Sequence, residues 1–228
     1  MEMFEKEKDL VEAFNLHTKK ILKEILNRTV SRHFIIEEFD SHLGVADIVF
    51  GTYKPYLSKK SLRSPVNKNW IFPLTTFQLN EAVTLEQFCN KFGLSKNSAN
   101  LRLNEYCEAS FLRKDSKDTF TVVKKYEYVA DSVIAVEAKL KNWKRALIQA
   151  QRYKKFSDFS FVLLDEHHSS SALNNLGLFD ESNIGLITMN DSGYRIHHIP
   201  KKLNIKKEDY FVRLNETAYS YFATGPMT

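Results

Sequence analysis

The sequence predicts an α/β fold, a mixed sheet flanked by helices and interrupted partway by a small separate module. Three observations carry that expectation. After residue 129, apolar runs rich in Val, Ile and Phe alternate with helix-period segments, the pattern of strands joined by crossover helices. Two further runs, 34–39 and 45–50, stand near the start and supply strands for the same sheet. Between them, from Trp70 to Tyr128, the chain changes character: two capped helical segments lead into a basic, alternating stretch. The expected division is therefore 1–69 with 129–228 as one discontinuous domain, and 70–128 as an insertion.

Each element has a local reason. From Phe4 to Leu26, Leu10, Val11, Phe14, Ile21, Leu22 and Ile25 recur at helical spacing, which predicts one amphipathic helix. Glu7 and His17 fall on or beside its apolar stripe, and Glu12 points away. Phe34–Phe39 and Val45–Phe50 read as strands of a hairpin turned by Asp40-Ser41-His42-Leu43-Gly44. Gly51 to Asn69 is polar and carries Pro55 and Pro65, the composition of a loop or linker. Thr84 caps a helix over 85–92 that stops at Gly93, and Ser95 caps a second from Lys96 to about Glu108. Arg113 to Tyr126 alternates basic and apolar residues around Asp115-Ser116-Lys117-Asp118, as a hairpin does. Val133–Ala138 is a strand, Trp143–Phe156 a helix with Leu147, Ala150 and Tyr153 inward, and Phe159–Leu164 another strand. Ala172–Leu176 is a short helix, followed by strands Ile184–Met189 and Tyr194–His198. After Lys206 the aromatics Tyr210, Phe211, Tyr219, Tyr221 and Phe222 point to a docked tail.

With 228 residues, 43% of them hydrophobic, the chain can bury one sizeable core or two small ones. A formal charge of +5 and a pI of about 9.0 make it mildly basic, compatible with a nucleic-acid partner and with much else. The basic residues fall in groups: Lys54, Lys59, Lys60, Arg63 and Lys68; Lys139, Lys141, Lys144 and Arg145; Lys201, Lys202, Lys206 and Lys207. Each group alone also fits a solvated face. Cys89 and Cys107 lack any metal-ligand spacing, which suits a reducing compartment. No stretch approaches the roughly 20 apolar residues of a membrane span, and Met1–Asp9 has no signal-peptide core. A cytoplasmic protein with no membrane partner is expected.

The chemistry concentrates in two strands. Val133-Ile134-Ala135-Val136-Glu137-Ala138-Lys139 is an apolar run ending in Glu-x-Lys, whose alternation puts Glu137 and Lys139 on one face. That tripeptide alone equally fits a surface strand end with an ion pair. Asp47 adds weight because hydrophobes surround it in its own strand, where a lone carboxylate is costly unless paired or bound to a cation. Two acids and a backbone carbonyl suit Mg2+, which takes one or two protein carboxylates and keeps several waters. The pairs His167-His168 and His197-His198 read instead as loop and strand-end residues, since strand neighbours face opposite sides.

Two resemblances follow from these residues. The stretch from Gly93 through Leu94, Ala99, Leu103 and Tyr106 to Phe111-Leu112 resembles the winged helix-turn-helix of bacterial regulators. Ser110 stands where glycine is usual, and Cys89 fills a small-residue site. The likeness implies that Lys96, Asn97, Ser98, Asn100 and Arg102 face a DNA major groove, with Lys114, Lys117, Lys124 and Lys125 on flanking phosphates. Winged helices also bind proteins, and that alternative stays open. Outside the insertion, the order of an acidic first helix, Gly44-Val45-Ala46-Asp47, Glu137-Ala138-Lys139 and a basic helix resembles the PD-(D/E)xK superfamily of restriction-endonuclease-like nucleases. Gln149-Ala150-Gln151-Arg152-Tyr153 is similar to the Gln-x-x-x-Tyr motif of its RecB-type members, and Ala46 replaces the usual proline.

The second likeness implies a restriction-endonuclease-like fold and Mg2+-dependent hydrolysis of DNA, with Mn2+ as substitute. Asp47, Glu137 and the Ala138 carbonyl would hold the metal, Lys139 would serve the attacking water, and Glu7 would support a second metal or its water shell. Gln149 and Tyr153 would steady the site, while Lys141, Lys144, Arg145 and Arg152 would meet phosphates. The assembly is left open between a homodimer and a larger nuclease complex. The competing expectation is a DNA-binding or regulatory protein, or an interaction subunit, that keeps the nuclease fold with little activity.

Overall fold

The computed structural model describes residues 4–58, 62–205 and 208–225. In chain order the elements are α1 (Glu7–Asn15), α2 (Thr18–Leu26), β1 (His33–Asp40), β2 (Val45–Tyr53), α3 (Phe72–Thr75) and β3 (Ala82–Thr84). There follow α4 (Leu85–Phe92), α5 (Lys96–Glu108), β4 (Leu112–Lys114), β5 (Thr119–Val122), β6 (Ala130–Lys139) and α6 (Trp143–Tyr153). The chain continues through β7 (Phe159–Asp165), α7 (Ser170–Leu173), α8 (Leu176–Ser182), β8 (Gly185–Asn190), β9 (Gly193–His198) and α9 (Asp209–Thr224). Its described residues divide into two compact units, one within 4–54 and 130–211, the other within 55–129 and 212–225. The second unit thus begins earlier than the expected residue 70 and takes in most of α9.

The first unit is built on a six-stranded sheet in the order β1-β2-β6-β7-β8-β9. Pairs β6–β7 and β7–β8 are parallel, and β1–β2, β2–β6 and β8–β9 are antiparallel, so the sheet is mixed. Strands β6 and β7 are buried almost throughout, as central strands covered on both faces must be. On one face Leu10, Phe14, Ile21, Leu22 and Ile25 of α1 and α2 join Ile48, Phe50, Ile134, Val136 and Ala138 in one apolar cluster. On the other face α6 brings Tyr153 against Glu137. Gly51 lies inside β2 because a Cβ there would meet the Ser132 carbonyl at 2.2 Å and the Phe34 ring at 2.7 Å.

Several expectations needed correction. The expected single N-terminal helix is two. The Thr18 hydroxyl takes the Asn15 carbonyl and the His17 N–H takes that of Phe14, so the i→i+4 ladder breaks locally. The stripe continues across the break, which is why periodicity alone hid it. The loop expected from Gly51 starts after Tyr53, since β2 still pairs with β6 through that residue. The helix expected to reach Phe156 ends at Tyr153, and the one expected at 172–176 is two short helices. The tail forms α9.

In the second unit, Thr84 and Gln87 form a capping box at the start of α4, and Gly93 ends it at φ +64°. Ser95 caps α5 through the Ser98 N–H. Strands β4 and β5 form a hairpin that β3 extends to three strands. Ala99, Leu103, Tyr106, Phe111 and Phe120 fill the core, with Leu94 packed against it. Ser110 takes φ +61°, the left-handed turn that favours glycine. Glu216 of α9 accepts from both terminal nitrogens of the Arg63 guanidinium and from the Val66 N–H, and the guanidinium lies over the rings of Phe111, Tyr126 and Tyr219.

Candidate functional site

Strands β2 and β6 part where the acids sit. Their last registered pair here is Ile48 with Val136. One residue further, the same register sets Asp47 opposite Glu137, and residues opposite each other in an antiparallel pair project to the same face. Asp47 Oδ2 instead accepts the Ala138 N–H at 2.7 Å, which replaces the lost ladder bond and fixes the carboxylate. Gly44, at φ +143°, leads the chain into β2 with Arg152 Nη1 3.6 Å from where its Cβ would stand.

Lys139, two residues beyond Glu137 and on the same face, gathers these groups. Its Nζ lies 2.7 Å from the Ala138 carbonyl, 3.0 Å from Glu137 Oε1, 3.0 Å from Glu7 Oε2 and 3.8 Å from Asp47 Oδ2. Glu7 comes from the first turn of α1, so an element remote in the sequence, packed against β6, reaches the strand end. Tyr153, at the end of α6, donates from its hydroxyl toward Glu137 Oε2 and toward the Val45 carbonyl, the latter at 2.8 Å. It thereby ties the two strands where their pairing ends.

Exposure grades steeply across the cluster: side chains are 1% exposed at Glu137, 15% at Lys139, 30% at Asp47 and 49% at Glu7. Burial pushes the Glu137 carboxyl above the usual range, against the opposing pull of the Tyr153 hydroxyl and Lys139. Burial likewise raises Asp47, offset in part by the Ala138 N–H and Lys139, with Glu7 and Glu38 adding repulsion. For Lys139, burial pulls down, but Asp47, Glu7 and Glu137 outweigh it and hold the ammonium above its ordinary value. The result is a compact acidic cage closed over one cation, the protein's own.

Glu38 is an acid that the sequence reading missed. It lies within β1 between Glu37 and Phe39, which pair with Ile48 and Ala46, so the register brings it level with Asp47. Its φ of +49° marks strained backbone beside the site. The available signal was the adjacent Glu37-Glu38 near a strand end, because neighbours alternate faces and one acid had to turn toward the site's side.

Gln149 stands one turn before Tyr153 on α6, with its Oε1 buried and without a hydrogen-bond partner among the described residues. Lys141, Lys144 and Arg145 are exposed around the start of α6, where Asn142 caps the helix through the Arg145 N–H. Arg152 is exposed, 3.5 Å from the Leu43 carbonyl.

The donor set fits a hard divalent cation: two carboxylates and a carbonyl, all oxygen, lie within 3.8 Å of a single point now held by an ammonium. Among the described residues, no group of three His, Cys, Asp or Glu side chains is placed to bind a metal ion, so any site here relies on that carbonyl. The histidines stand elsewhere. His197 Nε2 bonds the Thr188 hydroxyl at 2.8 Å and His198 approaches Asp180 at 3.8 Å, in line with alternate faces of β9.

In the second unit, Lys96 and Asn97 are exposed and Asn100 half-exposed at the start of α5, and Lys114 and Lys117 are exposed on the β4–β5 hairpin. Lys124 is half-buried, and the exposed Lys125 bonds Gln78. Two residues expected on the same helix face are engaged by other parts of the chain. Ser98 is occupied by the Ser95 cap. Arg102 lies with its guanidinium over the Trp70 ring, because its position on α5 turns it toward the segment before α4. Lys59, Lys60, Lys206 and Lys207 lie outside the described residues.

No family model matches the chain, and no curated protein does. Among solved structures it is similar to a protein of unknown function from Silicibacter pomeroyi, with 14% identity and a TM-score of 0.30. The match covers 40% of this chain and 57% of that one. Among the described residues, no helix is long and apolar enough to cross a membrane.

Proposed function

We propose that the protein is a metal-dependent endonuclease of the PD-(D/E)xK kind, acting on DNA in the cytoplasm, with a winged helix inserted in a restriction-endonuclease-like domain. The observation that carries this reading is the convergence of Asp47, Glu137 and Glu7 on Lys139 at the parting of β2 and β6. Residues ninety positions apart meet there, and nothing in a sheet's own stability calls for three acids at that point. The mixed sheet with helices on both faces agrees with that family's architecture. The helix pair and hairpin of the second unit agree with a winged helix.

Asp47, Glu137 and the Ala138 carbonyl are the residues that would hold Mg2+ or Mn2+. Bound there, the ion would polarise a phosphodiester and lower the pKa of a water. Asp47 is prepared for this because Oδ2 is fixed by the Ala138 N–H, leaving Oδ1 for a cation. Tyr153 orients Glu137 by holding its other oxygen. With such an ion bound, the Lys139 ammonium would orient the attacking water and donate to the phosphoryl oxygens, offsetting their growing charge. Water would add to phosphorus as the bond to the leaving sugar oxygen breaks, and the proton given up by that water would pass through solvent to the leaving oxygen. Exposed Lys141, Lys144, Arg145 and Arg152 contact neighbouring phosphates. Cutting both strands with one such site per chain calls for two copies or a larger complex.

The test is incubation with supercoiled and linear DNA in Mg2+ or Mn2+, beside Asp47→Ala and Lys139→Ala. Metal-dependent cutting lost in both variants is the expected result. Tight binding without cutting would replace this reading with that of a DNA-binding protein, and neither activity would leave an interaction subunit.

A further inference from the structure

The exposed face of α5 has a composition that points to one kind of base pair. Ala99, Leu103 and Tyr106 are buried, which fixes the opposite side of the helix as the outward one. Asn97, Asn100, Leu101 and Asn104 follow one another along that side at intervals of three and four. None of the three asparagine amides has a hydrogen-bond partner among the described residues, and Leu101 is 73% exposed. An isolated, largely exposed leucine amid polar residues gains nothing in the folded chain.

What is missing from that face is equally informative. Arginine is the usual reader of guanine, through its O6 and N7. The arginine of α5, Arg102, is turned onto Trp70 with Nε buried, so it is spent on packing. Asparagine amides suit adenine, donating to N7 and accepting from N6, and apolar side chains suit the thymine methyl. Glu108 closes the face at its C-terminal end, away from the helix N-terminus that enters a groove first.

Charge settles which occupant the face suits. Among the described residues of 55–129 and 212–225, eleven Lys and Arg stand against eight Asp and Glu, a surplus of three, while the rest of the described residues are nearly balanced. Lys96 at the start of α5 and Lys114 and Lys117 on the hairpin are exposed, as a polyanion would require.

We infer that α5 reads adenine–thymine pairs in the major groove of duplex DNA, with Asn97, Asn100 and Asn104 on adenine edges and Leu101 on thymine methyls. The inference rests on the DNA-binding part of the function proposed above and names its substrate class. Specificity at each such pair is about 5- to 150-fold, lost when the contacting side chain is truncated.

The experiment uses the full chain carrying Asp47→Ala, without divalent metal, and measures binding to duplexes of equal length with A·T or G·C cores. Companion duplexes replace thymine by uracil, which removes the methyl, or adenine by 7-deazaadenine, which removes N7. The expected result is tighter binding to A·T cores by tenfold or more, weakened by either replacement. Leu101→Ala should abolish the thymine–uracil difference, and Asn100→Ala should reduce the 7-deazaadenine effect. Equal binding to both cores would overturn the inference and leave the nuclease reading intact. So would an A·T preference that survives the quadruple alanine variant of Asn97, Asn100, Leu101 and Asn104. Failure to bind any duplex would overturn the inference and, joined to absence of cutting in the parent chain, the nuclease reading as well.

Discussion

Replacing Lys139 by methionine tests the acidic cage most directly, because it keeps the aliphatic stem and removes the ammonium. In the folded protein that ammonium lies 3.0 Å from Glu137 Oε1 and 3.0 Å from Glu7 Oε2. Without it, Glu137 at 1% exposure keeps only the Tyr153 hydroxyl, which the Val45 carbonyl also claims. Stranding a buried charge in this way typically costs about 3–5 kcal/mol. The carboxyl can escape the cost by taking up a proton, at about 1.4 kcal/mol per pH unit above its unfolded pKa. From an ordinary value of 4.5, that route caps the loss at ~5 kcal/mol at pH 8 and at ~1.4 kcal/mol at pH 5.5. The sign follows from burial: Glu137's folded pKa is raised, so the unfolded chain releases the proton first and the penalty grows as pH rises above 4.5. Urea denaturation in EDTA at pH 5.5, 7 and 8 gives the three values. A Lys139→Met protein within ~0.5 kcal/mol of its parent at pH 8, or one whose deficit is flat across this range, would show the ammonium to be solvated and the cage reading wrong.

Three further changes probe separate links. Tyr153→Phe removes the hydroxyl shared by Glu137 and the Val45 carbonyl and should cost about 1–3 kcal/mol; an unchanged urea midpoint would mean that water replaces it. Arg63→Met leaves Glu216 buried without its guanidinium and should cost about 3–5 kcal/mol, read as an earlier thermal transition of the second unit. Ser110→Gly relieves a left-handed serine at φ +61° and should stabilise by about 0.5–1 kcal/mol after the glycine entropy is charged against it. A lower midpoint for that variant would indicate that the serine is not strained.

Local patterns made much of this readable in advance. The caps at Thr84 and Ser95, the stop at Gly93 and the alternating apolar runs each announce their element through contacts only a few residues long. Asp47 and Glu137 were visible as charges out of place in apolar strands. The break between α1 and α2 was not visible, because the apolar stripe stays in phase across it. Glu38 was overlooked because its importance depends on the register with β2, and register is a property of two strands together.

Residue types, their periods and their order determine here which segments are strands or helices, and which acids and lysine are unusual enough to need partners. Those choices rest on interactions within a turn or two of backbone, so the chain carries them locally. Tertiary structure alone decides that Asp47 stands opposite Glu137, that Glu7 reaches Lys139 from α1, and that Arg102 leaves the face of α5 for Trp70. Each of these joins residues that only a specific strand register or helix rotation can bring together. That geometry is set by packing over the whole core, which no single stretch of sequence contains.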